Sequence, residues 1–283
     1  MLRAQTEGIS PEDLIARSGA EHLRDFTAFD IVFDDYYSTH SPENQRLANE
    51  IYQALQSGGH IEERPVRQPW CPSCTIFLPD RFLRGTCPRC GALDQYGDAC
   101  EHCAQTYDAA ELIDSHCSQC GTPPQWREVM HLFFKVSHFE APLRSWVRER
   151  IPIEMVNKLE EWFVQGLRPW DITRDAPYFG FPIPGRKDQF FYVWLDAPIG
   201  YMATTLHWCK GEVGLFEDYW KHEGSADVYH LIGKDITYFH AIFWPALLMA
   251  SGYRTPTRLL VQGFLTVNGQ KMSKSRGTFT TAE

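Results

Sequence analysis

The chain has 283 residues, 43% hydrophobic and 14% aromatic, with a formal net charge of −9. This composition excludes a disordered chain and fits one large domain or two ordinary ones, while the negative charge disfavours non-specific nucleic-acid binding over the whole surface. No apolar run of about 18 residues occurs, and Met1–Gly8 has no apolar signal core, so a cytoplasmic protein with no membrane partner is expected.

Ser10-Pro11-Glu12-Asp13 carries an N-cap serine, a proline at the first helical position and acids in the first turn. A helix follows, with Leu14, Ile15, Leu23 and Phe26 on it. Ser41-Pro42-Glu43 repeats the start signal, Leu47, Ile51 and Leu55 recur every fourth residue, and Gly58-Gly59 ends the helix. Between the two helices, Asp30–Phe33 reads as a short strand.

From about residue 60 to 125, turns, prolines and cysteines dominate, as in a metal-held unit whose core is too small to stand unaided. Eight of the nine cysteines form C-x-x-C pairs: Cys71/Cys74, Cys87/Cys90, Cys100/Cys103 and Cys117/Cys120. One tight turn aims two thiolates at one metal, and two turns complete a tetrahedral site. Two closed, structural zinc ions are expected, with Gly91 and Gly121 suited to the knuckles. Disulfides, a redox pair and an iron–sulfur cluster are the weaker readings. Nested pairing gives site 1 as Cys87, Cys90, Cys100, Cys103 and site 2 as Cys71, Cys74, Cys117, Cys120. Sequential pairing competes with it. Cys209 reads as a small core hydrophobe.

Met130–Val136 returns to strand character. Leu143–Gly166 reads as helix, with Trp146, Ile153, Leu159, Trp162 and Phe163 as core positions. Phe190–Trp194, Val228–Ile232 and Leu259–Val261 are strand candidates. A helix near Asp235 carries Ile236, Phe239, His240, Phe243 and Trp244, with Pro245 as a kink. Strand, helix, strand in this order predicts a parallel α/β sheet, whose ligands bind beyond the carboxyl ends of the strands.

Near the C-terminal end, Lys271-Met272-Ser273-Lys274-Ser275 sets two lysines three apart among hydroxyl residues and glycines, a composition suited to clamping a polyphosphate. This string resembles the second signature of class I aminoacyl-tRNA synthetases. With Phe77–Phe82, Gly85–Cys90, Asp94–Asp98, Trp170–Gly180, Tyr192–Tyr201 and Gly233–His240, nearly the whole chain resembles the methionyl-tRNA synthetases. The resemblance implies an incomplete Rossmann-type α/β catalytic domain with an inserted zinc-binding connective domain. The expected divisions are 1–58 and 171–283 for the catalytic domain and 59–170 for the insert.

It also implies methionine-tRNA ligase activity with L-methionine, Mg2+-bound ATP and tRNA(Met). Trp194, Ala197, Pro198, Tyr201, Ile236, Phe239, His240 and Trp244 would line the methionine pocket. Gly233, Asp235, Arg174 and Lys274 would meet ATP, and Lys271 and Lys274 would hold its phosphates. Asp196 would be a further polar group of the pocket or of the ATP side. The family's earlier H-I-G-H-type string is absent from this sequence, as is a counterpart of its α-helical anticodon-binding region. A fragment with a sheet gap and weak activity is therefore expected. A non-catalytic zinc-ribbon module derived from a synthetase is the alternative. Leucyl, isoleucyl or valyl relatives fit less well, because they usually carry large editing inserts.

Overall fold

The computed structural model describes residues 2–97, 100–103, 105, 107–263, 266–267 and 270–272. Its helices are α1 (Leu2–Glu7), α2 (Pro11–Ala28), α3 (Pro42–Ser57), α4 (Glu140–Arg150), α5 (Ile153–Gln165), α6 (Val193–Trp208), α7 (Val213–Trp220) and α8 (Trp244–Ala250). The strands are β1 (Ile61–Cys71), β2 (Ile76–Phe77), β3 (Leu83–Thr86), β4 (Gln95–Tyr96), β5 (Ile113–Cys117), β6 (Gln125–Phe134), β7 (Trp170–Asp171), β8 (Thr173–Asp175), β9 (Gln189–Phe191), β10 (Tyr229–Gly233), β11 (Arg258–Gln262), β12 (Thr266–Val267) and β13 (Gln270–Lys271). The chain forms two compact units. One comprises Met1–Glu62, Phe133–Ile172 and Phe191–Glu283; the other comprises Glu63–Leu132 and Thr173–Phe190.

In the first unit, the serine caps act as their sequence requires. Ser10 Oγ accepts from the Asp13 amide at 3.0 Å, and Ser41 Oγ from the Asn44 amide at 3.3 Å. Helix α3 buries Leu47, Ala48, Ile51, Tyr52 and Leu55, a helical stripe set by the four-residue spacing. It packs along α6, where Gly200 is needed because a Cβ there would meet Thr39 Cγ2 at 2.7 Å. Strands β10 and β11 pair in parallel from Tyr229↔Arg258 to Gly233↔Gln262.

Several expectations are corrected here. Asp30–Phe33 is not a strand: Asp30 turns with φ 54°, and Val32 is 90% exposed. Residues 143–166 form two helices, because Pro152 interrupts the ladder after Ile151. Trp146, Leu159 and Phe163 are buried, whereas Ile153 is 64% and Trp162 44% exposed. The run 190–194 divides. Strand β9 stops at Phe191, and Val193 and Trp194 open α6. The helix expected near Asp235 is a 3-10 turn at Lys234–Ile236, a π-helical turn at Phe239–Phe243, then α8. Pro245 has no N–H to give an α-helical ladder, and the π turn ends just before it, so the proline falls in the first turn of α8.

The second unit holds the three-stranded antiparallel sheet β4-β3-β5. Its buried cluster comprises Cys71, Leu78, Leu83, Cys87, Cys100, Tyr107, Leu112 and Cys117. Half of that core is thiol, so aliphatic burial alone is slight. A polar knot ties its other strands. Asp175 accepts from His131 Nε2 at 2.8 Å, Gln68 Nε2 at 2.9 Å and Gln189 Nε2 at 3.0 Å. Burial works to raise the Asp175 pKa, but the donors from His131, Gln189 and Gln68 outweigh it and hold it below the usual carboxylate value. Asp175→Ala is expected to destabilise the protein by about 3 kcal/mol at neutral pH, because buried His131 and Gln189 and part-buried Gln68 all lose the carboxylate they donate to. Urea unfolding checks this. The wild-type advantage should vanish as pH falls through the Asp175 pKa, since the lowered folded value stabilises only the ionised form.

Candidate active site and metal centres

On α6, Trp194, Ala197, Pro198 and Tyr201 stand at i, i+3, i+4 and i+7, so they share one helical face. Ile236, Phe239 and His240 repeat the i, i+3, i+4 spacing across the 3-10 and π turns, and Trp244 begins α8. These two faces meet. The Trp194 and Phe239 rings lie 5.2 Å apart, edge to face, and Tyr201 lies 6.4 Å from Trp244. His240 Nδ1 lies 3.1 Å from the Ile236 carbonyl, which fixes its proton there, so Nε2 accepts from the Tyr201 hydroxyl at 3.0 Å. Burial pushes the His240 pKa down and the Tyr201 pKa up, keeping both neutral at pH 7. Of the eight residues expected to line one pocket, Trp194, Tyr201, Phe239, His240 and Trp244 form one connected aromatic cluster, and Ala197, Pro198 and Ile236 share the helical faces that bear it. Trp194 and Tyr201, each 40% exposed, form its open side, and Trp244 is its buried floor.

Two members escaped the sequence reading. His230 on β10 accepts from Trp244 Nε1 at 3.2 Å and lies under the Tyr201 ring at 4.5 Å. Burial, then the neighbouring His240, brings its pKa down to about 3, so it is a neutral acceptor. Its signal was a lone histidine in an apolar strand, which by itself reads as core. Trp170 packs against Trp194 at 5.4 Å and Phe243 at 4.4 Å. It was visible only as part of a longer motif.

Gly233 ends β10 and Asp235 follows, exposed; a Cβ on Gly233 would meet Asp235 Oδ1 at 2.7 Å, so glycine leaves this carboxylate free to take its present position. Arg174 belongs to the second unit and donates to the Thr173 carbonyl at 2.6 Å. The Lys271 backbone pairs with Thr266 in the β12–β13 hairpin, and Lys274 lies outside the described residues. Asp196, in the first turn of α6, is buried. Its carbonyl accepts from Asn44 Nδ2 at 3.1 Å, while its Oδ1 has no hydrogen-bond partner among the described residues.

The cysteines gather as two tetrads, Cys71/Cys74/Cys117/Cys120 and Cys87/Cys90/Cys100/Cys103, with the four sulfurs of each within 4.8 Å of one another. The nested pairing is the one that forms. The sulfur separations are 3.4 Å (Cys71–Cys120), 3.9 Å (Cys74–Cys117), 3.9 Å (Cys87–Cys103) and 3.6 Å (Cys90–Cys100). Tetrahedral zinc with bonds of about 2.3 Å puts its sulfurs about 3.8 Å apart. Gly91 and Gly121 turn the knuckles with φ 73° and 72°, and their amides donate to the Cys87 and Cys117 carbonyls. Thr75 takes the same left-handed position after Cys74, with φ 55°.

The thiols are tuned unequally. The Thr122 hydroxyl and amide hold Cys120 down to about 6, whereas the facing Cys120 pushes Cys74 up to about 12. Four thiolates cannot crowd together without a cation between them, and a dication resolves that repulsion. The tetrads thus fit zinc.

The parallel strand pair β10–β11 thus leads into the aromatic cluster. A family model described as tRNA synthetases class I (M) matches residues 1–283, and the chain belongs to that family. The fold is that of a class I synthetase catalytic domain, with mixed helices and strands. Two relatives called methionine–tRNA ligase, from two strains of Acidithiobacillus ferrooxidans, are each 54% identical over 283 residues. The match covers 100% of this chain and 42% of each relative, so the chain spans less than half the length of these relatives. Mycobacterium tuberculosis methionyl-tRNA synthetase bound by methionyl-adenylate superposes with a TM-score of 0.68 at 26% identity, covering 98% of this chain and 49% of that one. Its apo form gives 0.60 at 25% identity, covering 90% and 46%. Among the described residues no helix is long and apolar enough to cross a membrane.

Proposed function

We propose that this chain is catalytic-domain sequence of a methionine–tRNA ligase, which activates L-methionine with ATP and transfers it to tRNA(Met). The observation that carries this reading is the Tyr201–His240 hydrogen bond inside an otherwise aromatic cluster, in a chain 54% identical to methionine–tRNA ligases. An apolar aromatic pocket suits a thioether, and the Tyr201 hydroxyl hydrogen is a donor that a sulfur could share. The parallel pair β10–β11 would belong to a Rossmann-type sheet, and the cysteine-bearing unit would be its connective insert.

In the reaction, a methionine carboxylate oxygen attacks the α-phosphorus of ATP, the α–β bridging P–O bond breaks, and pyrophosphate leaves. A ribose hydroxyl of the terminal tRNA adenosine then attacks the carbonyl carbon of the adenylate, and AMP leaves. Gly233 and Asp235 would meet the ribose of ATP, and Lys271 and Lys274 would stabilise charge on its phosphates. Arg174 is a further ATP-side group in this reading. Mg2+ accompanying ATP would neutralise part of the same charge. Two structural zinc ions would hold the cysteine unit.

Methionine-dependent exchange of pyrophosphate into ATP, measured on the protein that carries this sequence, tests the proposal. Tyr201→Phe is expected to raise the methionine KM about tenfold, the equivalent of one hydrogen bond. Exchange supported equally by leucine, or a Tyr201→Phe variant with unchanged KM, would remove the proposed role of this pocket.

A further inference from the structure

We propose that His102 is an outer-shell ligand of the Cys87/Cys90/Cys100/Cys103 centre, its Nδ1–H hydrogen-bonding the Cys90 thiolate. The inference rests on the zinc reading and deepens it. His102 lies between the two ligands of the opposing knuckle, Cys100 and Cys103. From there its Nδ1 reaches across to Cys90 Sγ at 3.8 Å. Cys90 and Cys120 are the exposed thiols of their tetrads, the ones water and competing chelators reach first.

Beyond the cysteines of its own tetrad, each exposed thiol has one side-chain partner among the described residues, and the two partners differ. At Cys120 it is the Thr122 hydroxyl at 3.3 Å, which is itself 2.9 Å from Ser73 Oγ. At Cys90 it is an imidazole. Four thiolates around a dication leave two negative charges on the centre, and N–H donors spread that charge and orient the sulfurs. Backbone amides serve the sulfurs of this centre as well: Cys87 Sγ is served by the Arg89 amide at 3.4 Å, Cys100 Sγ by the Cys103 amide at 3.3 Å, and Cys90 by the Ala92 amide. His102 therefore supplies a side-chain donor on the solvent side of this centre. The two centres should release metal at different rates for this reason.

The test uses the whole chain carrying two metal ions. Zinc transfer to a chromogenic chelator is followed for wild type, His102→Ala and His102→Asn, and the 113Cd NMR spectrum of each is recorded after cadmium substitution. His102→Ala is expected to release one of its two zinc equivalents roughly 10–100-fold faster and to move one cadmium resonance. His102→Asn, which keeps a side-chain N–H donor, should fall between wild type and the alanine variant. Unchanged release with both resonances in place overturns the inference. So does equal acceleration of both equivalents, which would report general unfolding. A wild-type chain that binds no metal overturns the zinc reading and this inference together, whereas two bound metals with an unresponsive His102 overturn this one alone.

Discussion

Removing metal from this chain is expected to unfold its cysteine-bearing unit. Elemental analysis should find two zinc ions per chain, and a strong chelator should abolish the dispersed amide resonances of residues 63–132. The size of the effect follows from what that unit has for a core. Cys71, Cys87, Cys100 and Cys117 are half of its buried cluster, with Leu78, Leu83, Leu112 and Tyr107 as the rest. So few aliphatic side chains do not offset the entropy of ordering the knuckles. Apparent zinc-binding energies of about 10–16 kcal/mol per site are large against that deficit, and they act as folding energy. Cys117→Ser should be as damaging as chelation at its own centre, since Cys117 is both a ligand and a core residue. One zinc per chain with four readily reactive thiols, or an unchanged spectrum after chelation, would contradict this account.

The second large effect concerns Asp196. Burial pushes its pKa up to about 7 from 3.8, while the backbone amides of Asp196 and Ala197 pull the other way. Between those two values the folded protein holds a proton that the unfolded chain has released. Stability therefore falls as pH rises through that window. A shift of this size corresponds to a loss on the order of 4 kcal/mol once both states are ionised. Asp196→Asn keeps the shape and cannot ionise. Its stability advantage in urea should be small near pH 4 and should grow to a few kcal/mol by pH 8. An advantage that is the same at both pH values would show that the buried charge is not its cause. The carboxylate sits in the first turn of the helix that bears Trp194 and Tyr201, so the strain lies beside the proposed pocket, where stability is commonly traded for function.

Much of this was legible in the residues. The caps at Ser10 and Ser41, the Leu47/Ile51/Leu55 stripe and the β10–β11 pair follow from short-range patterns. The four C-x-x-C turns announced ligand sets that could hold a metal, since each needs only a three-residue spacing. The aromatic run at 190–194 misled because Val193 and aromatic neighbours favour strand, whereas their actual packing lies along a helix face. Ile153 and Trp162 were expected in the core and are exposed, because which side of a helix is covered depends on what packs there. His230 carried only the mark of a lone histidine in an apolar strand, which does not tell a site residue from core.

By itself, the sequence determined which chemistry the chain carries: paired thiols, two lysines three residues apart, an aromatic set at helical spacing and family membership. These depend on residues near one another along the chain. The tertiary structure alone decided that the tetrads nest, that two helical faces close into one cluster, and that Asp196 is deprived of water. Asn44 reaches Asp196 across 152 residues of sequence. Protonation and ligand pairing follow from such contacts because they respond to burial and to distances in space, which no local spacing encodes.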